Sequence, residues 1–428
     1  MKYFFKITLI IFLFLSINEL KAETLMDSLN SAYKNNKKLN AERASMRASI
    51  EEKRESVSEF LPSVTISGYV GEVDNDTPGT DTSFRPSEQS MTVEQKIFQG
   101  GSGVANFIKK THGQELGKFK LLKKEQDILL EAAKAHSSFL LNRKKVNINL
   151  INLDLLERQV ETDQNRLEKG QISLTDLAQS ESSLAGAMAQ LISAQNDLIT
   201  SKSNFEMVIG TKPKENIQEI KDKDDDLNLP ESLATALSIS ISENPDLMIS
   251  LLEYKQAKLD VVIAGSDLSP SASLSYKIAE QDDISSTIKD RTQQTVTATA
   301  SWPLFAGGRN IFNLRKSQEL KNQKELLYED SKKKVETAVA NAWSSYQSSK
   351  SVLNSIESQV KAAEIANEGI TLEYESGRGR TTLEVIQSRT ILLNSRINLA
   401  TSERNFLISQ FNLLSSVGRL TGKQFDLK

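Results

Sequence analysis

The chain has 428 residues, with 53 Lys and Arg against 56 Asp and Glu, a formal net charge of −3, and no cysteine. That balance offers no basic surface for nucleic acid, and without thiols there is neither a disulfide nor a thiolate metal site. His112 and His136 are the only histidines, and neither has enough ligands at helical spacing to hold a metal. With no nucleophile or nucleotide motif either, the sequence reads as a non-enzyme that needs no cofactor.

In chain order, Lys2 and Lys6 precede the apolar run 7–17, and Ala22 offers a cleavage site before Glu23. This is the layout of a secretory signal peptide over residues 1–22, too short for a stable membrane anchor. No later apolar run approaches about 18 residues, so any passage through a membrane has to use strands. A helical stretch follows over 24–60. Two strands come next: Val64, Ile66, Gly68 and Val70 alternate with polar residues, as do Met91, Val93 and Ile97. The acidic segment 72–90 between them reads as a loop. From Gly101 to Arg166 no proline interrupts the chain, and about 65 residues at roughly 1.5 Å each make a helical rod of roughly 100 Å. Within it Ile128, Ala132, Ala135 and Phe139 step by fours and threes, the mark of a coiled-coil seam. A turn near Gly170 leads into a further helix.

The same order then recurs. Asn36 to Leu39 answers to Asn244 to Leu247, and Pro62-Ser63-Val64 to Pro270-Ser271-Ala272. Phe98-Gln99-Gly100-Gly101 answers to Phe305-Ala306-Gly307-Gly308, and Gly210 to Gly418. The chain therefore divides into a first repeat, 23–210, a polar linker, 211–230, a second repeat, 231–418, and a short tail, 419–428. The linker carries the charge run 221–226 and reads as a solvated segment. In the second repeat the helical stretch is 231–266. Ala272, Leu274, Tyr276 and Ile278 mark one strand, and Val296, Ala298, Ala300 and Trp302 the other. Residues 279–294 read as their loop. The long helix runs from about Gly308 to Tyr374, with a seam expected at Val335, Ala338, Ala342, Ser345, Ser349, Val352 and Ile356.

Strands of about 9–10 residues suffice for a tilted bilayer crossing. Four of them cannot close a barrel, because open edges in lipid would leave backbone groups unpaired. The chain must then oligomerise, and geometry alone admits eight strands from a dimer or twelve from a trimer. A periplasmic coiled-coil adaptor or scaffold that never enters lipid is the competing reading; it accounts for the rods and not for the strands.

With these features the chain resembles the TolC family, the outer-membrane channels of efflux pumps and type I secretion systems. The resemblance covers residues 23–420. It rests on Thr24-Leu25, Ala32-Tyr33 and Asn36, on the Phe-x-Gly-Gly turns, and on Tyr374 to Gly377 running into Arg380-Thr381-Thr382-Leu383-Glu384-Val385. It implies a mainly α fold with a small membrane β-barrel part. A long periplasmic helical coiled-coil tube would continue four transmembrane strands per protomer, twelve in a trimer. It also implies a passive exit duct in outer-membrane lipid, served by a periplasmic adaptor and an inner-membrane transporter that dock at the tips near Gly170 and Gly377. Departures are Lys37 where a proline is usual, one residue inserted around Arg378-Gly379, and the shortness of the tail.

The resemblance further implies a gate at the periplasmic end, built from Tyr374 and Arg380 with Asp176 and Gln159. The arginine's usual glutamate partner falls at Thr371, leaving Glu368 and Glu373 as substitutes. Glu384 and Gln387 fall at the pore constriction, where three-fold symmetry would gather three Glu384 carboxylates and favour cations. Thr381-x-x-Glu384 and Ser173-x-x-Asp176 are also capping boxes, so Glu384 and Asp176 stand equally as helix caps. Trp302, Phe98 and Phe305, at the strand ends, read as a membrane girdle or as helix packing.

Overall fold

A computed structural model describes residues 23–427 apart from 215, 218–226, 286 and 378. The expected signal peptide, the charge run 221–226 and Arg378 of the inserted turn thus lie outside the described residues. Helices α1 (Leu25–Asn35) and α2 (Lys37–Val57) end in a 3-10 turn, Ser58–Phe60, before β1 (Ser63–Val70), β2 (Val73–Thr77), β3 (Thr80–Phe84) and β4 (Ser87–Gln99). Then come α3 (Ser102–Glu168), α4 (Leu174–Ile209), α5 (Leu233–Glu243), α6 (Pro245–Ser266), β5 (Ser271–Ser285), β6 (Ile288–Ser301), α7 (Arg309–Glu375) and α8 (Thr382–Val417). Two compact units are built from this order: residues 41–122 with 245–334, and the remaining 1–40, 123–244 and 335–428.

Each helical stretch expected at the start of a repeat is two helices. The break falls at Asn36 and Asn244, whose backbones are extended (φ −64, ψ 122 and φ −68, ψ 121). Asn36 Oδ1 accepts from the Lys38 and Leu39 amides and restarts the helix, while its Nδ2 donates to the Val208 carbonyl at 3.0 Å. Asn244 Nδ2 donates to the Ser416 carbonyl at 2.7 Å. The repeated asparagine therefore ties the entry of each repeat to the end of its last helix. Gly418, at φ 94, lies so near the Glu243 carbonyl that any Cβ would collide with it.

In the first unit named, β1-β4-β5-β6 form one antiparallel sheet, with β1 and β6 as its edges. The register aligns Val64, Val93, Tyr276 and Val296 in one row and Ile66, Met91 and Ile278 in the next. The other face carries Thr65, Thr92, Lys277 and Thr295. A bulge between Lys96 and Phe98 takes Ile97 out of register and pairs Phe98 with Ala272. Phe98 rather than Ile97 thus extends the apolar rows. The expected loops are corrected. Residues 72–90 hold the β2–β3 hairpin and the start of β4, and 279–294 are mostly strand, paired as far as Ser285 with Ile288 across one irregularity after Asp282. Backbone pairing needs no apolar side chain, so polar threonine-rich strands can continue beyond an apolar band.

In the other unit the long helices carry a seam in strict four-three alternation. On α7 it runs Val335, Val339, Ala342, Tyr346, Ser349, Leu353, Ile356, Val360, Ala363, Asn367, Ile370, Tyr374, every position at least half-buried. Ala338, Ser345 and Val352 of the expected seam are exposed. Threes and fours were read in the wrong order there, and the larger Val339, Tyr346 and Leu353 take the core. The expected positions on α3 are all buried. Continued as Val146, Leu153, Leu156, Val160, Asp163 and Leu167, they match the α7 seam position by position at an offset of 207.

The same unit buries His136 completely. Its Nδ1 lies 2.8 Å from Ser28 Oγ, which donates to the buried Glu23 carboxylate at 3.1 Å. A hydroxyl has one hydrogen, so Nδ1–H must be the donor to Ser28, leaving Nε2 as a lone pair with no partner among the described residues. Burial, followed by the nearby Arg143, holds the imidazole pKa down to about 4. The unfolded chain, with a histidine near pH 6.5, then binds more protons between pH 6.5 and 4. This stabilisation is complete above about pH 6.5, falls with pH, and is lost by about pH 4, roughly 3 kcal/mol per protomer in all. Thermal melts at pH 7, 5.5 and 4 should show a steep acid loss in the wild type and a shallower one in His136→Leu; parallel curves would remove His136 from the account.

Candidate functional site

The tips of the four long helices meet around one buried carboxylate. Asp163 occupies a seam position of α3 and is 0% exposed. Its Oδ1 accepts from the Tyr374 hydroxyl of α7 at 2.8 Å and from Gln159 Nε2 at 2.9 Å; its Oδ2 accepts from Ser180 Oγ of α4 at 2.5 Å. The Tyr374 proton being spent on Asp163, Thr382 of α8 donates its hydroxyl hydrogen to the Tyr374 oxygen at 3.0 Å. One carboxylate thereby joins all four helices.

Arginines surround it. The Arg166 guanidinium lies 4.3 Å from the Tyr374 ring centroid and donates to the Tyr374 carbonyl at 3.3 Å. Arg389 of α8 donates to the Leu155 carbonyl at 3.2 Å, and burial draws its pKa below the ordinary value. Burial first, and the bond to Asp163 next among the raising effects, push the Tyr374 phenol upward, so it stays a donor at any physiological pH. A hydrogen bond to a charged partner is worth about 1.5–3 kcal/mol, within reach of a conformational change.

Each expected site residue has a definite place. Tyr374 and Gln159 both bond Asp163, in place of the Asp176 and Arg380 partners expected for them. Asp176 instead closes a capping box, its carboxylate accepting from the Ser173 amide at 3.0 Å and hydroxyl at 2.7 Å, bonds that hold its pKa down. Arg380 pairs with Glu373 at 2.6 Å, one of the two substitutes expected, and with Glu384 at 2.9 Å. Glu384 also caps α8 through the Thr381 amide at 2.8 Å, so cap and ion pair coexist in one carboxylate. Gln387 is exposed on the same helix. Both Arg380 pairs are about 40% exposed and worth little on their own.

Asp163 escaped sequence inspection, yet a signal for it was there. The two seams match at an offset of 207, which sets Asp163 against Ile370 and Leu167 against Tyr374. A carboxylate and a phenol at otherwise apolar seam positions of the two repeats are a pair waiting to be matched.

In the other unit Trp302 and Phe305 are 61% and 87% exposed, and Phe98 is exposed as well. Trp302 Nε1 donates to the Leu268 carbonyl at 3.0 Å. The glycine pairs that follow, Gly100-Gly101 and Gly307-Gly308, all take positive φ, turning each strand into its long helix through a geometry closed to other residues.

Comparison with known proteins places these features in context. The profile described as "Outer membrane efflux protein" matches twice, over residues 28–211 and 236–419. The chain is 26% identical over 410 residues to outer membrane efflux protein BepC of Brucella suis biovar 1 (strain 1330), covering 95% of this chain and 88% of that one. It is 22% identical over 418 residues to outer membrane protein TolC of Escherichia coli (strain K12), covering 94% and 83%. Among solved structures, CusC superposes with a TM-score of 0.83 at 16% identity, covering 92% of each chain. The Campylobacter jejuni CmeC outer membrane channel gives 0.83 at 13% identity, covering 93% and 86%.

The two carboxylates near the tips should respond differently to removal. Asp176→Ala should cost about 0.5–1 kcal/mol and speed amide exchange only in the first turn of α4. Asp163→Ala strands three donors, should cost at least about 2 kcal/mol, and should loosen the ends of all four helices. Equal exchange profiles for the two variants would contradict this division of roles.

Proposed function

Because the chain belongs to the outer membrane efflux protein family, we propose that it is a homotrimer whose buried Asp163 cluster is the latch of its periplasmic gate. The family assignment makes it an outer-membrane channel, the exit of an efflux system, and leaves no place for the adaptor alternative. In this reading transport is passive conduction, with the helices in the periplasm and energy supplied by an inner-membrane transporter through a periplasmic adaptor docked near Gly170 and Gly377. Residues 1–22 act as the export signal.

The observation that calls for further copies is the sheet, and membership of the family selects three of them over two. Four strands with open edges at β1 and β6 and an apolar face with Ile66 81% exposed are unfinished in lipid. Joining β1 of one copy to β6 of the next leaves no free edge, and three copies supply twelve strands, within the known range of membrane barrels. The apolar rows then face lipid, with Trp302, Phe98 and Phe305 as the girdle. Met188, Ile192 and Ile199, exposed on α4, suit contact with a neighbouring copy.

The gate works by exchange of bonds. Closed, Tyr374 holds α7 to Asp163 on α3, with Gln159 and Ser180 fixing the carboxylate. Arg380 braces the turn through Glu373 and Glu384. Opening replaces these contacts by water, at a loss that adaptor docking can offset. Glu384 and Gln387 line the constriction, one charged ring and one neutral.

Planar-bilayer conductance tests this. Tyr374→Phe and Asp163→Asn should each raise single-channel conductance several-fold, and either combined with Arg380→Ser further still. Asp176→Asn should leave it unchanged. Glu384→Gln should weaken the cation preference. A folded trimer that conducts identically in all these variants would discard the latch and keep the channel; folded protein with no conductance would discard both.

A further inference from the structure

Residues 137–147 of α3, 346–357 of α7 and 400–410 of α8, with Leu227, Asn228 and Leu229, enclose a cleft of about 1150 Å³. It lies within one unit of a single protomer and plays no part in the latch. One wall is an aromatic pair: the Tyr346 and Phe406 rings stack at 5.9 Å and 20°. Leu353, Leu407 and, from the linker, Leu229 also line the cleft.

Among the described residues, the charges around this surface do not balance. Arg143, Lys144, Lys350 and Arg404 line it against two carboxylates, Glu357 and Glu403. Glu403 is taken by Lys144 at 2.8 Å. Arg143 donates to the Ile217 carbonyl at 2.9 Å. Arg404 is half-buried, and its guanidinium bonds only neutral oxygens among the described residues, Ser138 Oγ at 3.1 Å and Asn405 Oδ1 at 3.1 Å. Burial draws its pKa below the ordinary value. A guanidinium in that position is short of a counter-ion, and an anion arriving from outside would supply it through charge-assisted bonds.

We propose that this cleft binds a free amphiphilic organic anion, its carboxylate or sulfonate at Arg404 and its apolar body against the Tyr346–Phe406 stack and Leu353. The cleft is large enough for a drug-sized ligand, and its lining sets an aromatic and leucine wall beside a cationic rim. The cationic rim sets the sign of the ligand, and the aromatic wall requires an alkyl or ring system behind the head group. Binding here would be to the wall of the channel, independent of whether the tip is open, so the proposal does not rest on the latch.

The test uses the full-length protein in dodecyl maltoside with Trp302→Phe, which leaves Trp343 as the only tryptophan. Its ring lies 6.0 Å from that of Tyr346 and reports on the cleft. The probe is 11-(dansylamino)undecanoate, read by energy transfer from Trp343. Saturable transfer at one site per protomer is expected, reversed by decanoate and not by its methyl ester. Arg404→Gln should weaken binding about ten-fold or more, and Arg404→Lys, which keeps the charge, by much less. Circular dichroism and trimer yield establish that both variants are folded. Transfer that scales with detergent and never saturates, equal binding by Arg404→Gln, or displacement by the methyl ester would overturn the site. Displacement by phosphatidylglycerol but not by decanoate would overturn the free amphiphile in favour of a lipid head group.

Discussion

Hydrocarbon offers no hydrogen bonds, so a strand edge that enters it must be paired with another strand. Everything distinctive about this chain follows from carrying a sheet whose two edges, β1 and β6, have no partner within the protomer. The sheet is apolar on one face and hydroxyl-rich on the other, and Val64, Ile66, Val70 and Val296 on the apolar face are exposed in the protomer. It is a fragment of a closed surface, and its completion has to come from further copies. Closure then fixes how many sets of long helices are gathered together, and makes a tube that needs an openable end.

In the proposed gate, that end is governed by a polar exception in an apolar seam. The α3 and α7 seams keep strict four-three order along their length, and the order alone would favour permanent packing. Placing Asp163 and Tyr374 in it replaces dispersion contacts with a few directional bonds. Such bonds specify one arrangement, yet water can replace them one by one, which well-packed leucines do not permit. The capping boxes at Ser173 and Thr381 serve the neighbouring task of starting α4 and α8 sharply after their turns, so the tips keep their shape whichever way the latch stands.

Much of this was legible in the sequence, for physical reasons. Period-two alternation placed β1 to the residue, because one face meets lipid and the other water. The duplication and the long helices were visible because both repeats obey the same packing. The strand extensions over 279–294 were not, since beyond the apolar band neither face is selected for hydrophobicity. The bulge that exchanges Ile97 for Phe98 leaves no mark in composition. The helix break at Asn36 was hidden because asparagine serves there as an internal cap, its Oδ1 accepting from the Lys38 and Leu39 amides while its Nδ2 reaches the Val208 carbonyl far along the chain. Asp176 drew attention as a carboxylate near a turn, whereas the carboxylate that joins the helices lies inside a seam.

The most direct test of the unfinished sheet is disulfide trapping of its two edges. The chain has no cysteine of its own, so one can be placed at Ile66 in β1 and a second stepped through Thr295, Val296 and Thr297 in β6. Oxidation of intact cells should yield covalent trimers for one β6 position, through β1 of each copy and β6 of the next, and weaker products at its neighbours. An outer-membrane protein that stays monomeric at every position, or that closes as a covalent dimer, would contradict the account at its foundation.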